Sequence, residues 1–357
     1  MADDPITLDA VEVTAKASNN QSQFGRKLYC AIGGTGGGLN FSDFRVVFQV
    51  RRGDNQTPNT CNIRIYNVSK QTMAKVTQEF TAVNLQAGYE NGNFGLIFKG
   101  VIKQFRKGRE NATDTYLDIL AADGDEAYNF APILMTLASG STPLYTVGEF
   151  LKSLKAFSID PPDYIPPTFN IPSPHPRTYA GLAPDVLREF AQDHQCRWSI
   201  QDGQLTFIPV NSFLPGPIPL ISPSTGLIGI PEQTVDGIEM RVLLNPTIKI
   251  GQLIQLQATV NQAQINPSLS GNQTNFQLGA MGSTPTGITG SAKLFGSGSD
   301  GSGYYYVAEA DHSGDTRGND WYTDLICVAA DATTLPASIS SNIASVAPAN
   351  VTVVGSR

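Results

Sequence analysis

The sequence predicts a mainly β protein with a small α+β insert, and three observations carry that expectation. Apolar and polar residues alternate with a period of two, as in Phe44, Val46, Phe48 and Val50 with Arg45, Gln49 and Arg51 between them, the mark of a half-buried strand. Glycine (34) and proline (23) are frequent, which favours many short strands joined by turns. Helical spacing is largely confined to the middle of the chain. At 357 residues the chain exceeds what one hydrophobic core usually serves, so two or three domains are expected.

Taken in order, residues 1–40 read as an N-terminal arm, polar up to about Gln23. After the strand at 44–50, a polar turn at 53–60 leads into Cys61, Ile63 and Ile65 on a second strand. Ser69 is placed to cap a short helix that buries Met73, Val76 and Phe80. Val83, Leu85, Ala87 and Tyr89 form a third strand, Asn91-Gly92 a tight turn, and 94–105 the returning strand, with a bulge expected at Gly100. Thr113, Thr115, Leu117 and Ile119 continue the alternation. This region, 41–130, reads as a β-barrel or sandwich of about five strands.

The region 131–235 changes character. Thr146 and Glu149 form an expected capping box ahead of Phe150, Leu151 and Leu154, and 159–177 is a proline-rich extended connector. Pro184 opens a second helix burying Val186, Leu187, Phe190 and Ala191. It runs into a hairpin, Trp198 and Ile200 to Leu205 and Phe207, turning at Asp202-Gly203. After a Pro/Gly-rich stretch at 211–231, strands return near 237–244, 253–260, 304–311 and 321–329, making a third region, 236–330. The segment 261–303 reads as a long polar loop, and 331–357 as an extended C-terminal arm.

The net charge of −7 argues against a general nucleic-acid binder, which needs a basic face to displace counterions from phosphates. Cys30, Cys61, Cys196 and Cys327 are scattered without metal-ligand spacing, and are expected to be buried free thiols of a protein folded in a reducing cytoplasm. The N-terminus lacks the features of a secretory signal, and no apolar run approaches the ~20 residues that span a bilayer.

No residue set is expected to be catalytic, to bind a cofactor or to hold a metal. The glycine run 33–38 has neither the GxGxxG register nor a following Lys-Ser/Thr, and reads as a turn between strands. His312, Ser313 and Asp315, with Asp311, Arg317, Asp320 and Asp324, form the richest polar cluster, but a Ser/His/Asp mechanism draws its groups from separate loops. It reads as a loop tied by Asp–Arg and Asp–backbone bonds. Asp123, Asp125 and Glu126 read as solvated charges in a strand-end turn, not as paired carboxylates of a glycosidase. His175 falls in the proline-rich connector and His194 at a helix end. Lys99, Lys103, Arg106, Lys107 and Arg109 form the one dense basic stretch, read as a solvated hairpin tip or a contact with an acidic neighbouring subunit.

Residues 44–46, 54–60, 63–69, 85–89, 98–100, 241–246, 249–252, 312–318 and 321–323 together resemble the phage baseplate hub family, which includes contractile-tail hubs, late-control D-type tail proteins and the base of type VI secretion spikes. Residues 44–46, 54–60 and 63–69 look like the opening strands of a hub's tube domain, continued by Leu85-Gln86-Ala87-Gly88-Tyr89 and Phe98-Lys99-Gly100. Residues 241–246 with 249–252 are similar to the opening of a second tube domain, and 312–318 before Trp321-Tyr322-Thr323 to its close. The resemblance implies two barrel-like tube domains related by pseudo-symmetry, flanking the helix–hairpin domain. It implies a homotrimeric ring that adapts a hexameric tail tube protein to a trimeric central spike protein, and a conduit for DNA passing without specific binding. Other baseplate proteins and the tape-measure protein are implied as further partners, with assembly in the host cytoplasm and residence in the virion. A tail-associated cell-wall hydrolase is one rival reading. A receptor- or carbohydrate-binding tail protein is the other, since Tyr304, Tyr305, Tyr306, Trp321 and Tyr322 are able to stack sugars, although their alternation suits a core.

Overall fold

A computed structural model of the chain describes residues 23–34, 37–210, 212–234, 237–260 and 303–329. The expected arm up to residue 22, nearly all of the 261–303 loop and the tail 331–357 lie outside the described residues.

The chain enters the sheet earlier than expected. Strand β1 (Arg26–Gly34) pairs with β2 (Gly37–Asn40), Gly33 facing Gly38. This corrects the assignment of all of 1–40 to an arm. A side chain on Gly33 would strike the Gly37 and Gly38 backbone, so glycine here permits a close approach of two strands. Strands β3 (Val46–Gly53) and β4 (Thr60–Tyr66) follow the alternation, with Val46, Phe48, Val50, Cys61, Ile63 and Ile65 buried. Ser69 caps helix α1 (Lys70–Glu79), its hydroxyl accepting from the Thr72 N–H, and Met73 and Val76 face the core. Next come β5 (Ala82–Tyr89), β6 (Phe94–Arg109) and β7 (Thr115–Ala122). The bulges in β6 fall at Ile97 and Lys103, not at Gly100. Gly100 is required for a different reason: the Ala122 carbonyl and the Phe98 ring occupy the space of a side chain.

The middle region builds its own core. Its elements are α2 (Asp125–Phe130), β8 (Pro132–Leu137), α3 (Pro143–Leu154), β9 (Arg177–Leu182), α4 (Ala183–Asp193), β10 (Cys196–Gln201) and β11 (Gln204–Pro209). Helix α3 starts one turn before the expected capping box. Thr142 is the cap and Pro143 the first helical residue, while Thr146 sits inside the helix donating to the Thr142 carbonyl. The proline-rich connector contributes a 3-10 turn, Pro167–Asn170, whose Phe169 joins Phe150, Phe190 and Phe207 in one buried aromatic cluster.

The last strands are β12 (Leu220–Ile221), β13 (Leu227–Gln233), β14 (Ile238–Leu243), β15 (Leu253–Leu256), β16 (Gly303–Asp315) and β17 (Trp321–Ala329). Two of them, β12 and β13, lie where a Pro/Gly-rich stretch without strands was expected. β13 tolerates Pro231 because it is an edge strand, irregular between Ile228 and Glu232.

Most strands join one large sheet in the order β13–β14–β17–β16–β3–β4–β7–β6–β5–β1–β2, with β15 also on β16 and β12 on β15. Among the described residues this path is open and no closed barrel is found, which corrects the expected pair of barrels. β16 is the reason. Its first residues pair with β15 and its last with β3, so the C-terminal strands open onto the N-terminal ones instead of closing on themselves. Two runs along the path share one order, β3–β4–β7–β6–β5 and β13–β14–β17–β16–β15. Arg64 faces Asp118 and Asp118 faces Arg106 in the first run, as Arg241 faces Asp324 and Asp324 faces Asp311 in the second. The residue skipped by the pairing, Lys103 or Ala308, lies at the same distance from that row in both.

A candidate interaction face across the large sheet

Because strand side chains alternate, the rows left over from the buried set form one polar face that crosses both runs. One row passes through Arg241, Asp324, Asp311, Arg51 and Thr60, and a neighbouring one through Arg64, Asp118 and Arg106. Over β3, β4, β7 and β6 the face is concave and encloses a groove of about 570 Å³ between Gln49, Asn62, Gln104 and Asp118.

Arg51, Arg64 and Arg241 on this face, and Arg45 at its margin, are held by carboxylates, while Arg106, opposite Asp118, has no ion pair among the described residues. Arg64 donates to both Asp118 oxygens at 2.7 and 3.0 Å and lies 4.2 Å over the Tyr116 ring. Arg241 repeats the arrangement with Asp324, at 2.6 and 3.0 Å, and the Tyr322 ring. At the margin Arg45 pairs with Asp315 at 2.8 Å over Tyr66. Partial burial would lift the Asp315 carboxyl, but Arg45 and the Arg317 N–H outweigh it and hold it below its ordinary value. Arg51 approaches Asp311 at 3.9 Å across the β3–β16 seam. Each of these four held cations is shared with a carboxylate before any ligand arrives.

A second polar cluster fixes the middle region to the sheet. Arg52, 6% exposed, pairs with Asp202 at 2.7 Å. Asp123 accepts from the backbone N–H groups of Asp202 and Gly203, and Asn59 donates to the Ile200 carbonyl. Burial, then the nearby Asp202 charge, pushes the Asp123 carboxyl up to about 7. Asp54 is clasped by Arg197 at 2.7 Å and by the Tyr306 hydroxyl. Sequence reading missed this cluster because its partners lie far apart along the chain. The one local signal was the Asp202-Gly203 turn, whose Asp202 has φ of +57°.

The residues singled out from the sequence disperse. The His312–Asp315 segment is not a loop but the end of β16, correcting the expectation, since its pairing continues onto β3 and β17. His312 is buried, Nδ1 2.9 Å from the Thr323 hydroxyl, and burial and then Arg52 press its pKa down to about 3. Asp311 and Asp324 lie on the opposite, open face. Asp123, expected to be solvated, is 1% exposed. Asp125 pairs with Lys103 at 2.7 Å. His175 is exposed, and His194 ends α4 against the Phe169 and Phe190 rings. Tyr305, Tyr306 and Trp321 are core residues, while Tyr322 supports Arg241. The four cysteines are free and buried, and burial drives the Cys30 thiol up to about 12. Among the described residues no group of His, Cys, Asp and Glu converges on a metal site, and no helix is long and apolar enough to cross a membrane.

This open sheet of two alike runs, carrying a helix–hairpin region, has a fold shared with two solved tail proteins. A tail protein from Neisseria meningitidis MC58 superposes with a TM-score of 0.52 at 8% identity, over 85% of this chain and 97% of that one. The 43 kDa tail protein of prophage MuSo2 from Shewanella oneidensis gives 0.50 at 9% identity, over 85% and 98%. The family resemblance read from the sequence is borne out: the family model described as baseplate hub gp41 matches residues 182–279. No curated protein matches the chain.

Proposed function

We propose that this chain is the non-catalytic hub subunit of a phage baseplate. Three copies form a ring that adapts a hexameric tail tube to a trimeric central spike and gives DNA a passage. The observation that carries the reading is the repeated strand order with its matching Arg–Asp register, Arg64 with Asp118 and Arg241 with Asp324. Two pseudo-symmetric units per chain let three copies present six, so that threefold and sixfold partners meet across one interface. Separate hydrophobic clusters support three structural regions, near 41–130, 131–235 and 236–330, with β1 added to the first.

The passage for DNA finds support in the open face. Arg51, Arg64 and Arg241 are engaged there by carboxylates, and a net acidic chain adds no long-range attraction, so phosphates would pass without being gripped. The tube protein, the spike, other baseplate proteins and the tape-measure protein are the partners of this reading, with assembly in the host cytoplasm and a place at the virion baseplate.

Light scattering on the purified chain should give the mass of three copies, and labelling of intact particles should mark the baseplate axis. A stable monomer at micromolar concentration, or label at a fibre tip, rejects the reading.

A further inference from the structure

Within one chain, the end of β16 joins the two runs of the sheet. Within the chain, β16 pairs with β15 up to Tyr306, and past that point residues 309–315 pair with β3, Asp311 facing Arg51 and Ser313 facing Gln49. β6 occupies the corresponding place in the first run. Its pairing with β5 ends at Val101 facing Ala82, as that of β16 with β15 ends at Tyr306 facing Leu253. Past that point residues 104–109 of β6 pair with β7 on one side and, among the described residues, with no strand on the other. β13, which corresponds to β3, ends the path and, among the described residues, pairs with β14 alone. Every chain thus carries the two halves of one further seam, unjoined.

The two edges are complementary in charge. On β13, Glu232 faces Glu239 directly; both are exposed and neither has an ion pair among the described residues. Like charges directly opposite on a sheet are unfavourable unless a cation intervenes. The same edge exposes Ile228 (37%) and Ile230 (60%). On β6, Lys99 and Lys103 are paired within the chain to Asp160 and Asp125, but Arg106, Lys107 and Arg109 are exposed and, among the described residues, have no carboxylate partner. An open edge of this kind is a ready template for another strand.

We infer that residues 104–109 of one copy pair antiparallel with β13 of the next copy, in the register of β16 on β3. This rests on the ring reading above and says which surfaces close the ring. Transferring the register through the matched Arg–Asp rows sets Lys107 opposite Gln233 and Gly108 opposite Glu232, with Arg106 diagonal to Glu232 on the open face. Thr234 takes the place that Arg51 has in the in-chain seam, and the charge pair between chains is the diagonal Arg106–Glu232. The contact is head-to-tail, so each copy uses both edges once, and three copies leave none exposed.

Directly opposed residues of antiparallel strands are within disulfide reach, and the native cysteines are buried. The full chain carrying Lys107→Cys and Gln233→Cys should therefore give a covalent three-chain band under mild oxidation. Mixed single-cysteine variants should give a two-chain band. Arg106→Glu should weaken assembly about tenfold, and adding Glu232→Arg should restore it. A three-chain mass for the native protein without any intermolecular cross-link overturns the seam and leaves the ring standing. A native chain that stays monomeric overturns both.

Discussion

Asp123 and His312 are buried titratable groups whose links to folding have opposite sign. The Asp123 carboxyl titrates near 7 in the fold against 3.8 when free, so between those values the folded chain keeps a proton that the unfolded chain has released. Its contribution to stability therefore falls as pH rises through that window. His312 titrates near 3 against 6.5, so there the unfolded chain binds a proton that the folded chain refuses, and its contribution rises with pH. Between about pH 4 and 6.5 the two offset each other. Asp123→Asn removes the falling part, so urea midpoints of that variant should climb with pH relative to the native chain. The excess slope is up to about 1.4 kcal/mol per pH unit. Superimposable profiles would mean that Asp123 is ionised throughout. Beside it, Asp202→Asn keeps a residue tolerant of positive φ but takes the charge from buried Arg52. It should cost about 2 kcal/mol in denaturant titrations.

The elements of the middle region pack around one side chain, Phe190. Phe190 on α4 meets Phe150, Phe169 and Phe207 with ring centroids 5.3, 5.4 and 5.5 Å away. Phe190→Ala opens a cavity at the centre of that cluster and should cost about 3–5 kcal/mol, read by urea unfolding. Helix α4 and the hairpin β10–β11 were legible in the sequence because Pro184, the apolar stripe and Asp202-Gly203 are local signals. The start of α3 was misread because Thr142-Pro143 and Thr146/Glu149 are both valid openings, and only packing of Val147, Phe150 and Leu154 settled which turn is helical. Strand β13 escaped notice because its pairing with β14 overrides its glycine and proline. Gly100 shows the reverse error, a correct residue given the wrong cause.

For the molecule as a whole, the open face makes a claim about DNA that a retardation gel can test. The native chain should leave linear duplex DNA unshifted at physiological salt. The double variant Asp118→Asn with Asp324→Asn frees Arg64 and Arg241 on corresponding strands and should produce a salt-sensitive shift. Retardation by the native chain, or none by the variant, would contradict a face on which Arg64 and Arg241 are already engaged.

The sequence by itself determined the mainly β character, the helix–hairpin insert, most strand positions, the burial of the cysteines and the resemblance to baseplate hubs. These are short-range matters of alternation, capping and turn chemistry, which depend on neighbours within a few residues. Only the tertiary structure decided that the sheet stays open, that β16 bridges the two runs, and that Arg64 and Arg241 find equivalent carboxylates. Strand pairing joins residues hundreds of positions apart, and a period of two says which face a side chain takes without saying which strand lies beside it.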